Sequence, residues 1–239
     1  MNIPDILLNE RYNDRYFDVV DALSEAKRIH IGNARVIERV SAMAGQKKVF
    51  RIGETGFGAG RLLVALLDSL DIGLARGAVI DYNTVEMHPV SAERMERILG
   101  IFEDRAVRHI RNLLDAYSRL DVAKPGFHTA AISGDYGVVN LNLYVGEALE
   151  MTEFLGAPCA AWFLDGHAPK KNPDIWRPEL MSSIGRKTEA GGTATAFTVA
   201  GRVRRALAAA GFSVEKVSGC GGKKEALLCT FRGAGGDAE

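Results

Sequence analysis

Hydrophobic positions along this chain switch repeatedly between the spacing of a helix and the compact runs of a buried strand. The first forty residues are mostly polar with scattered apolar positions, and 24–31 followed by Gly32-Asn33 suggests a turn leading into a helix. Val36, Ile37, Val40 and Met43 then recur at helical spacing, and Gly45 closes that helix. The run 48–54 predicts a first strand, and an apolar helix over 62–70 follows a glycine-rich turn. A second strand, rich in β-branched residues, is predicted over 78–86. Pro89 to Glu93 opens a helix with Met95 and Ile98 on one side, and 102–120 is helical with breaks.

The second half continues the alternation. Residues 127–132, 134–137 and 138–145 predict strand, turn, strand. The run 159–165 is a buried strand ending in an acid, and Pro178 starts a helix reaching Ile184. Gly191-Gly192 is predicted to turn before a strand over 193–198. A helix over 199–210 is closed by Gly211, and strands over 213–217 and 225–231 are joined by Gly219-Cys220-Gly221-Gly222. Two strands with no helix between them predict an antiparallel hairpin at a sheet edge. The whole is an α/β fold with a mostly parallel sheet and helices on both faces. Three parts are expected: a helical extension over 1–45 packed on the core, a main domain over 46–232, and a flexible tail over 233–239.

Composition narrows the classes. The 239 residues are 47% hydrophobic, enough for one substantial domain. Its 30 basic and 30 acidic side chains cancel, so nucleic-acid contact would require a local patch. The three cysteines make no CxxC pair and read as reduced thiols, with Cys159 and Cys229 in apolar runs as core residues. No apolar run reaches the ~18 residues of a membrane span. The start, Met-Asn-Ile-Pro-Asp-Ile, does not read as a signal peptide, so a cytoplasmic location is expected. The five histidines lack metal-ligand spacing, so no metal is expected.

In a parallel α/β sheet, ligands sit at the carboxyl ends of the strands, and three such ends carry suggestive residues. The first is Glu54-Thr55-Gly56-Phe57-Gly58-Ala59-Gly60. Alternate glycines let the backbone approach a ligand, and the helix beyond offers free N–H groups. Arg61 falls where a dinucleotide-type GxGxxG would have its last glycine, so the acid-x-Gly-x-Gly-x-Gly order fits the S-adenosylmethionine version instead. The second is Glu86, with Met87 beside it, suited to accept from both hydroxyls of a ribose. The third is Glu147 with Ala148. Either it meets an adenine amino group, or it is an N-terminal acid favoured by the helix dipole.

Several ordered motifs resemble one family. The stretch 162–176, WFLDGHAPKKNPDIW, closely resembles a signature of the methyltransferase domain of the bifunctional tRNA 5-methylaminomethyl-2-thiouridine biosynthesis protein (MnmC) and its stand-alone relatives. Residues 197–207, FTVAGRVRRAL, are similar to that family's TFTxAGxVRRxL. Ala210-Gly211-Phe212, the stretch 219–225 and the glycine loop also resemble family motifs. The resemblance runs from about Phe50 to Phe231; upstream only Gly32-Asn33 echoes the family.

The resemblance implies a Rossmann-like class I methyltransferase with a seven-stranded sheet. It implies transfer of a methyl from S-adenosyl-L-methionine to the aminomethyl nitrogen of the tRNA wobble uridine, an EC 2.1.1 activity in tRNA modification. An oxidase partner would be a separate protein, since 239 residues leave no room for that domain. Cofactor contacts are expected from Glu54, Gly56, Phe57, Gly58, Gly60, Glu86, Met87, Glu147 and Ala148. Asp165 is expected to be catalytic, accepting a hydrogen bond from the amine. Substrate contacts are expected from His167, Pro169, Lys171, Asn172, Thr198 and Arg204. Lys170, Lys171, Arg202, Arg204, Arg205, Lys223 and Lys224 form an RNA-facing patch or are simply solvated.

The chain departs from the family at Arg61 (family Leu), His167 (family Phe), Glu147 (family Asp), and Gly222 and Lys224 (family Arg). His167 stacks on a base, titrates, or has no role. Two alternatives stand beside the tRNA reading: a methyltransferase of the same fold acting on a small amine or natural product, and a non-catalytic binding protein that keeps the pocket.

Overall fold

The computed structural model describes residues 6–17, 22–73, 76–220 and 224–233, with the side chains of 103–105 also left out. It opens with a feature that the polar pattern did not predict, a small antiparallel hairpin of β1 (Leu8–Asn9) and β2 (Asp14–Arg15). Helix α1 (Ala22–Ala26) runs into a π-helical turn, Lys27–Gly32, and Arg35 at φ 49° resets the chain for α2 (Val36–Gly45).

Strand and helix then alternate: β3 (Val49–Glu54), α3 (Arg61–Ile72), β4 (Ala78–Glu86) and α4 (Ala92–Leu99). The Ser91 side chain caps α4 by accepting from the Arg94 N–H. Helix α5 (Glu103–Tyr117) follows a short 3-10 turn and is kinked at Ala106, where φ is −143°. This is the break expected in the 102–120 segment. Beyond it come β5 (Gly126–Gly134), β6 (Gly137–Val145), α6 (Ala148–Phe154), β7 (Cys159–Leu164), α7 (Pro178–Arg186), β8 (Thr188–Ala196), α8 (Gly201–Ala209), β9 (Phe212–Ser218) and β10 (Glu225–Phe231).

The main sheet has order β5-β6-β4-β3-β7-β8-β10-β9. Its centre, β6-β4-β3-β7-β8, is parallel throughout. Hairpins close both edges, β5 on β6 and β9 on β10, and β10 inserts antiparallel between β8 and β9.

Two expectations are corrected. The sheet has eight strands rather than seven, because β5 pairs with β6 along its whole length, from Gly126 opposite Val145 to Gly134 opposite Gly137. Gly191-Gly192 is not a turn before the strand. Strand β8 begins at Thr188, and the glycines sit in an irregularity where Thr188 pairs with Cys159 but Thr193 pairs with Ala161.

Two apolar cores flank the sheet. One joins β3 and β4 to α3, α4 and α5, and takes in Leu7, Phe17, Leu23 and Ile31 from the N-terminal segment. The other joins β7 and β8 to α6, α7 and α8 through Trp162, Trp176 and Leu180. In α3 every residue from Leu62 to Leu67 is buried, because that helix is covered by the sheet on one side and by the N-terminal segment and α5 on the other. Burying each leucine contributes about 1.5–3 kcal/mol. Cys159 and Cys229 are buried core thiols, both pushed up to about 12 by desolvation. No described helix is long and apolar enough to cross a membrane.

Candidate active site

Four parallel strands, β3, β4, β6 and β7, end beside one another and bring their following loops to one cleft. Its empty volume is about 1040 Å³ with the open mouth included.

The glycine loop after β3 is strung between the ends of β7 and β4. The Thr55 hydroxyl donates to the Asp165 carbonyl at 2.7 Å, and the Phe57 N–H donates to the Val85 carbonyl at 2.9 Å. Gly58 and Gly60 both adopt left-handed φ, 56° and 78°. At Gly60 a Cβ would also lie 2.6 Å from a Leu113 methyl, so a side chain is excluded by conformation and by space.

The acids expected at the strand ends line this cleft. Glu54 is 1% exposed and accepts from the Thr84 hydroxyl at 2.6 Å. Its Oε1 has no hydrogen-bond partner among the described residues. The Tyr82 hydroxyl pulls on the same carboxylate but makes no full hydrogen bond. Burial pushes the Glu54 carboxyl up to about 8. Glu86 accepts from the Gly58 N–H through Oε2 and from the His88 N–H through Oε1, both at 2.9 Å. A carboxylate has about four acceptor positions, so two remain for a ligand. Glu147 caps α6 in a reciprocal capping box with Glu150 and is paired with Arg177 at 2.7 Å. Ala148, the first residue of α6, has no carbonyl partner for its N–H within the helix.

Asp165 follows β7 directly. One carboxylate oxygen accepts from the Gly166 N–H at 2.9 Å, and the other is paired at 2.9 Å with Arg61. Burial alone would raise its pKa, but Arg61 and then His30 hold it below the usual carboxylate range. His167 sits under the N-terminal hairpin, with Nε2 3.0 Å from the Asn9 amide nitrogen and Nδ1 3.5 Å from Asp14. The rings of Tyr12 and Tyr16 lie 4.6 and 6.0 Å from the imidazole. Burial lowers the His167 pKa against the opposing pull of Asp14.

Of the expected residues, Glu54, Gly56, Phe57, Gly58, Glu86, Met87, Glu147, Ala148, Asp165, His167 and Asn172 line the cleft. Gly60 lies just behind it as the N-cap of α3. The others sit outside the lining. The Lys171 ammonium donates to the Asn13 carbonyl, and the Pro169 carbonyl accepts from Arg202. The Thr198 hydroxyl accepts from the Ala200 N–H at the start of α8. Arg204 borders a shallow surface depression with Arg205. Lys223 lies outside the described residues.

Arg61, Arg177, Asn9, Tyr12 and Tyr16 also line the cleft and were missed as site residues. In sequence Arg61 stands out only as a departure from a motif. An arginine heading an apolar helix was its signal. Tyr12 and Tyr16, two aromatics in a polar stretch, offered a weaker one.

Comparison with known proteins agrees with this geometry. A family described as S-adenosyl-L-methionine-dependent methyltransferase matches residues 110–232. The tRNA 5-methylaminomethyl-2-thiouridine biosynthesis bifunctional protein MnmC of Pseudomonas aeruginosa (strain PAO1) is 37% identical over 226 residues, 95% of this chain and 34% of that protein. Its namesake in Pseudomonas entomophila (strain L48) is 34% identical over 226 residues, with the same two coverages. The chain thus spans about a third of the length of the curated relatives it matches. The crystal structure of MNMC2 from Aquifex aeolicus has a TM-score of 0.74 and 19% identity, over 97% of this chain and 68% of that one, which shows a shared fold.

Proposed function

The chain belongs to the family of S-adenosyl-L-methionine-dependent methyltransferases, and from that premise we propose that it methylates the aminomethyl nitrogen of the wobble uridine in tRNA. The acceptor is suggested by the names of the relatives. The observation that carries a methyl-transfer role is the Asp165 carboxylate. It is held ionised at the end of β7 and faces the same cleft as the glycine loop.

The residues fit the cofactor. The unpartnered Glu54 Oε1 suits the ammonium of its amino-acid part. Glu86 suits the ribose hydroxyls with its two remaining acceptor positions. Met87 and the free Ala148 N–H flank the place for the base, and Gly56, Phe57, Gly58 and Gly60 shape the loop against it. Glu147 is already engaged by Arg177, so its part in holding the base is indirect.

When bound, the cofactor supplies an electrophilic methyl carbon on a positively charged sulfur. The chain's own task is to present a neutral amine in line with that carbon and to exclude water. Asp165 accepts a hydrogen bond from the amine N–H and so aims the lone pair. As the amine takes up the methyl, its nitrogen would become cationic. Asp165 steadies that charge, and the extra proton leaves to water. His167, with Asn172 and the tyrosines of the N-terminal hairpin, borders the acceptor side. Pro169 and Lys171 fasten the loop that carries His167. Thr198 and Arg204 belong to a more distant surface.

A second reading, a small-amine acceptor, is favoured by two observations. The hairpin of residues 8–15 closes over the cleft through Asn9, Tyr12 and Asp14, and the chain has no net charge to attract RNA. Nucleoside mass spectrometry of tRNA from a strain lacking this protein distinguishes the two. The tRNA reading expects the unmethylated aminomethyl nucleoside to accumulate; unchanged wobble-uridine methylation overturns it.

A further inference from the structure

Arg61 occupies an unfavourable place for an arginine. It is 7% exposed, and burying a cation costs several kcal/mol unless it is well paired. It is also the first residue of α3, the end at which the helix dipole disfavours positive charge. The resembled family continues its loop with leucine here, and a leucine would suit the apolar surroundings. The cost is offset by specific partners. One guanidinium nitrogen donates to Asp165 at 2.9 Å. The other donates to the Ala22 carbonyl at 3.0 Å and lies 3.7 Å from Glu25. The guanidinium carbon stands 5.7 Å from the centre of the Phe17 ring.

We propose that Arg61 is a positioning residue for methyl transfer, fixing the Asp165 carboxylate as an oriented, ionised acceptor and tying it to α1 of the N-terminal segment. The inference rests on the reading of Asp165 as the hydrogen-bond partner of the amine. With one oxygen held by Arg61 and the other by the Gly166 N–H, the carboxylate cannot rotate, and its remaining acceptor positions are left for the amine. Asp165 is also held down by His30 on the π-helical turn, and its own charge raises the pKa values of Glu54 on β3, Tyr82 on β4 and His167 on its own loop. Arg61 is the cation paired directly with Asp165, and its charge lowers the pKa of Asp165 and of the neighbouring Glu54.

The test uses Arg61→Leu, Arg61→Lys, Asp165→Asn and the double variant R61L/D165N. The first readout needs no turnover: urea unfolding of the cofactor-free protein between pH 4 and 8. Without Arg61, the buried Asp165 keeps its proton while the unfolded chain has lost it. The stability of R61L relative to R61L/D165N therefore falls as pH rises, through a folded pKa higher than in the parent protein. The parent relative to D165N shows no such fall from Asp165 itself, and what pH dependence remains comes from the neighbouring Glu54. The second readout is kcat/KM with S-adenosylmethionine and aminomethyl-uridine tRNA. R61L is expected to lose about tenfold or more, R61K to recover part of it, and R61L to cost less than about twofold further in the D165N background.

Equal losses in both backgrounds, together with a flat pH difference, overturn the proposal and leave Arg61 a structural residue. Near-parental turnover by D165N instead sinks the catalytic reading of Asp165, and the unfolding readout then judges the pairing alone. Should R61L not fold, Arg61→Gln, which keeps donors without charge, gives the same readouts.

Discussion

Glu54→Gln probes the least comfortable group in the cleft. Glu54 is fully enclosed, with one hydrogen bond from Thr84 and an oxygen that lacks a partner. Burial raises its pKa from an ordinary 4.5 to about 8. Between those values the native state keeps a proton that the unfolded chain has released, so native stability falls as pH rises. The contribution is fully present below about 4.5 and lost by the time pH passes about 8. At ~1.4 kcal/mol per pH unit the loss approaches about 5 kcal/mol as an upper bound.

Glutamine has nearly the same shape and no proton to lose, so the variant lacks this slope. Urea unfolding of both proteins from pH 5 to pH 8, followed by the fluorescence of the buried Trp162 and Trp176, measures the difference directly. The parent is expected to lose several kcal/mol relative to E54Q across that range. Saturating S-adenosylmethionine, whose ammonium would stabilise the carboxylate, should flatten the curve, and cofactor affinity in the parent should rise with pH up to about 8. A parent-minus-variant difference independent of pH would refute the reasoning, because it would mean that Glu54 is already ionised at pH 5.

Three further outcomes are expected. Asp165→Asn should lower kcat by about a hundredfold or more while cofactor affinity, measured calorimetrically, changes little; retained turnover counts against a role in the transfer. Glu86→Ala should weaken cofactor binding by about tenfold or more, since it removes the ribose acceptor and the brace on the Gly58 and His88 N–H groups; an unchanged Kd counts against that assignment. Gly60→Ala should destabilise the fold by about 1–3 kcal/mol in urea, because φ of 78° and the Leu113 methyl both oppose a Cβ.

Much of this site was legible in local pattern. The alternation of strand and helix, the glycine loop and the acids at strand ends each depend on neighbours within a few residues. Period, turn chemistry and sheet geometry therefore place Glu54, Glu86 and Asp165 at one end of the sheet from sequence alone. Local pattern failed where a short signal had two outcomes. Gly191-Gly192 serves equally as a turn or as a strand irregularity, and only the pairing of β8 with β7 decides between them. Likewise 126–134 reads as a strand without revealing that it would extend the sheet as an eighth member.

Motif likeness by itself also does not place a side chain in the cleft. Lys171 and Thr198 lie in resembled motifs yet bond to Asn13 and Ala200. The contacts that tune the site join residues far apart in the chain. Arg61 meets Asp165 across 104 positions, and Asn9 meets His167 across 158. No periodicity connects such pairs, because side chains that distant meet only once the sheet has ordered its strands and the N-terminal segment has packed across their ends. The sequence by itself determined the fold class and the kind of cofactor; the tertiary structure decided which charge holds Asp165 and what roofs the cleft.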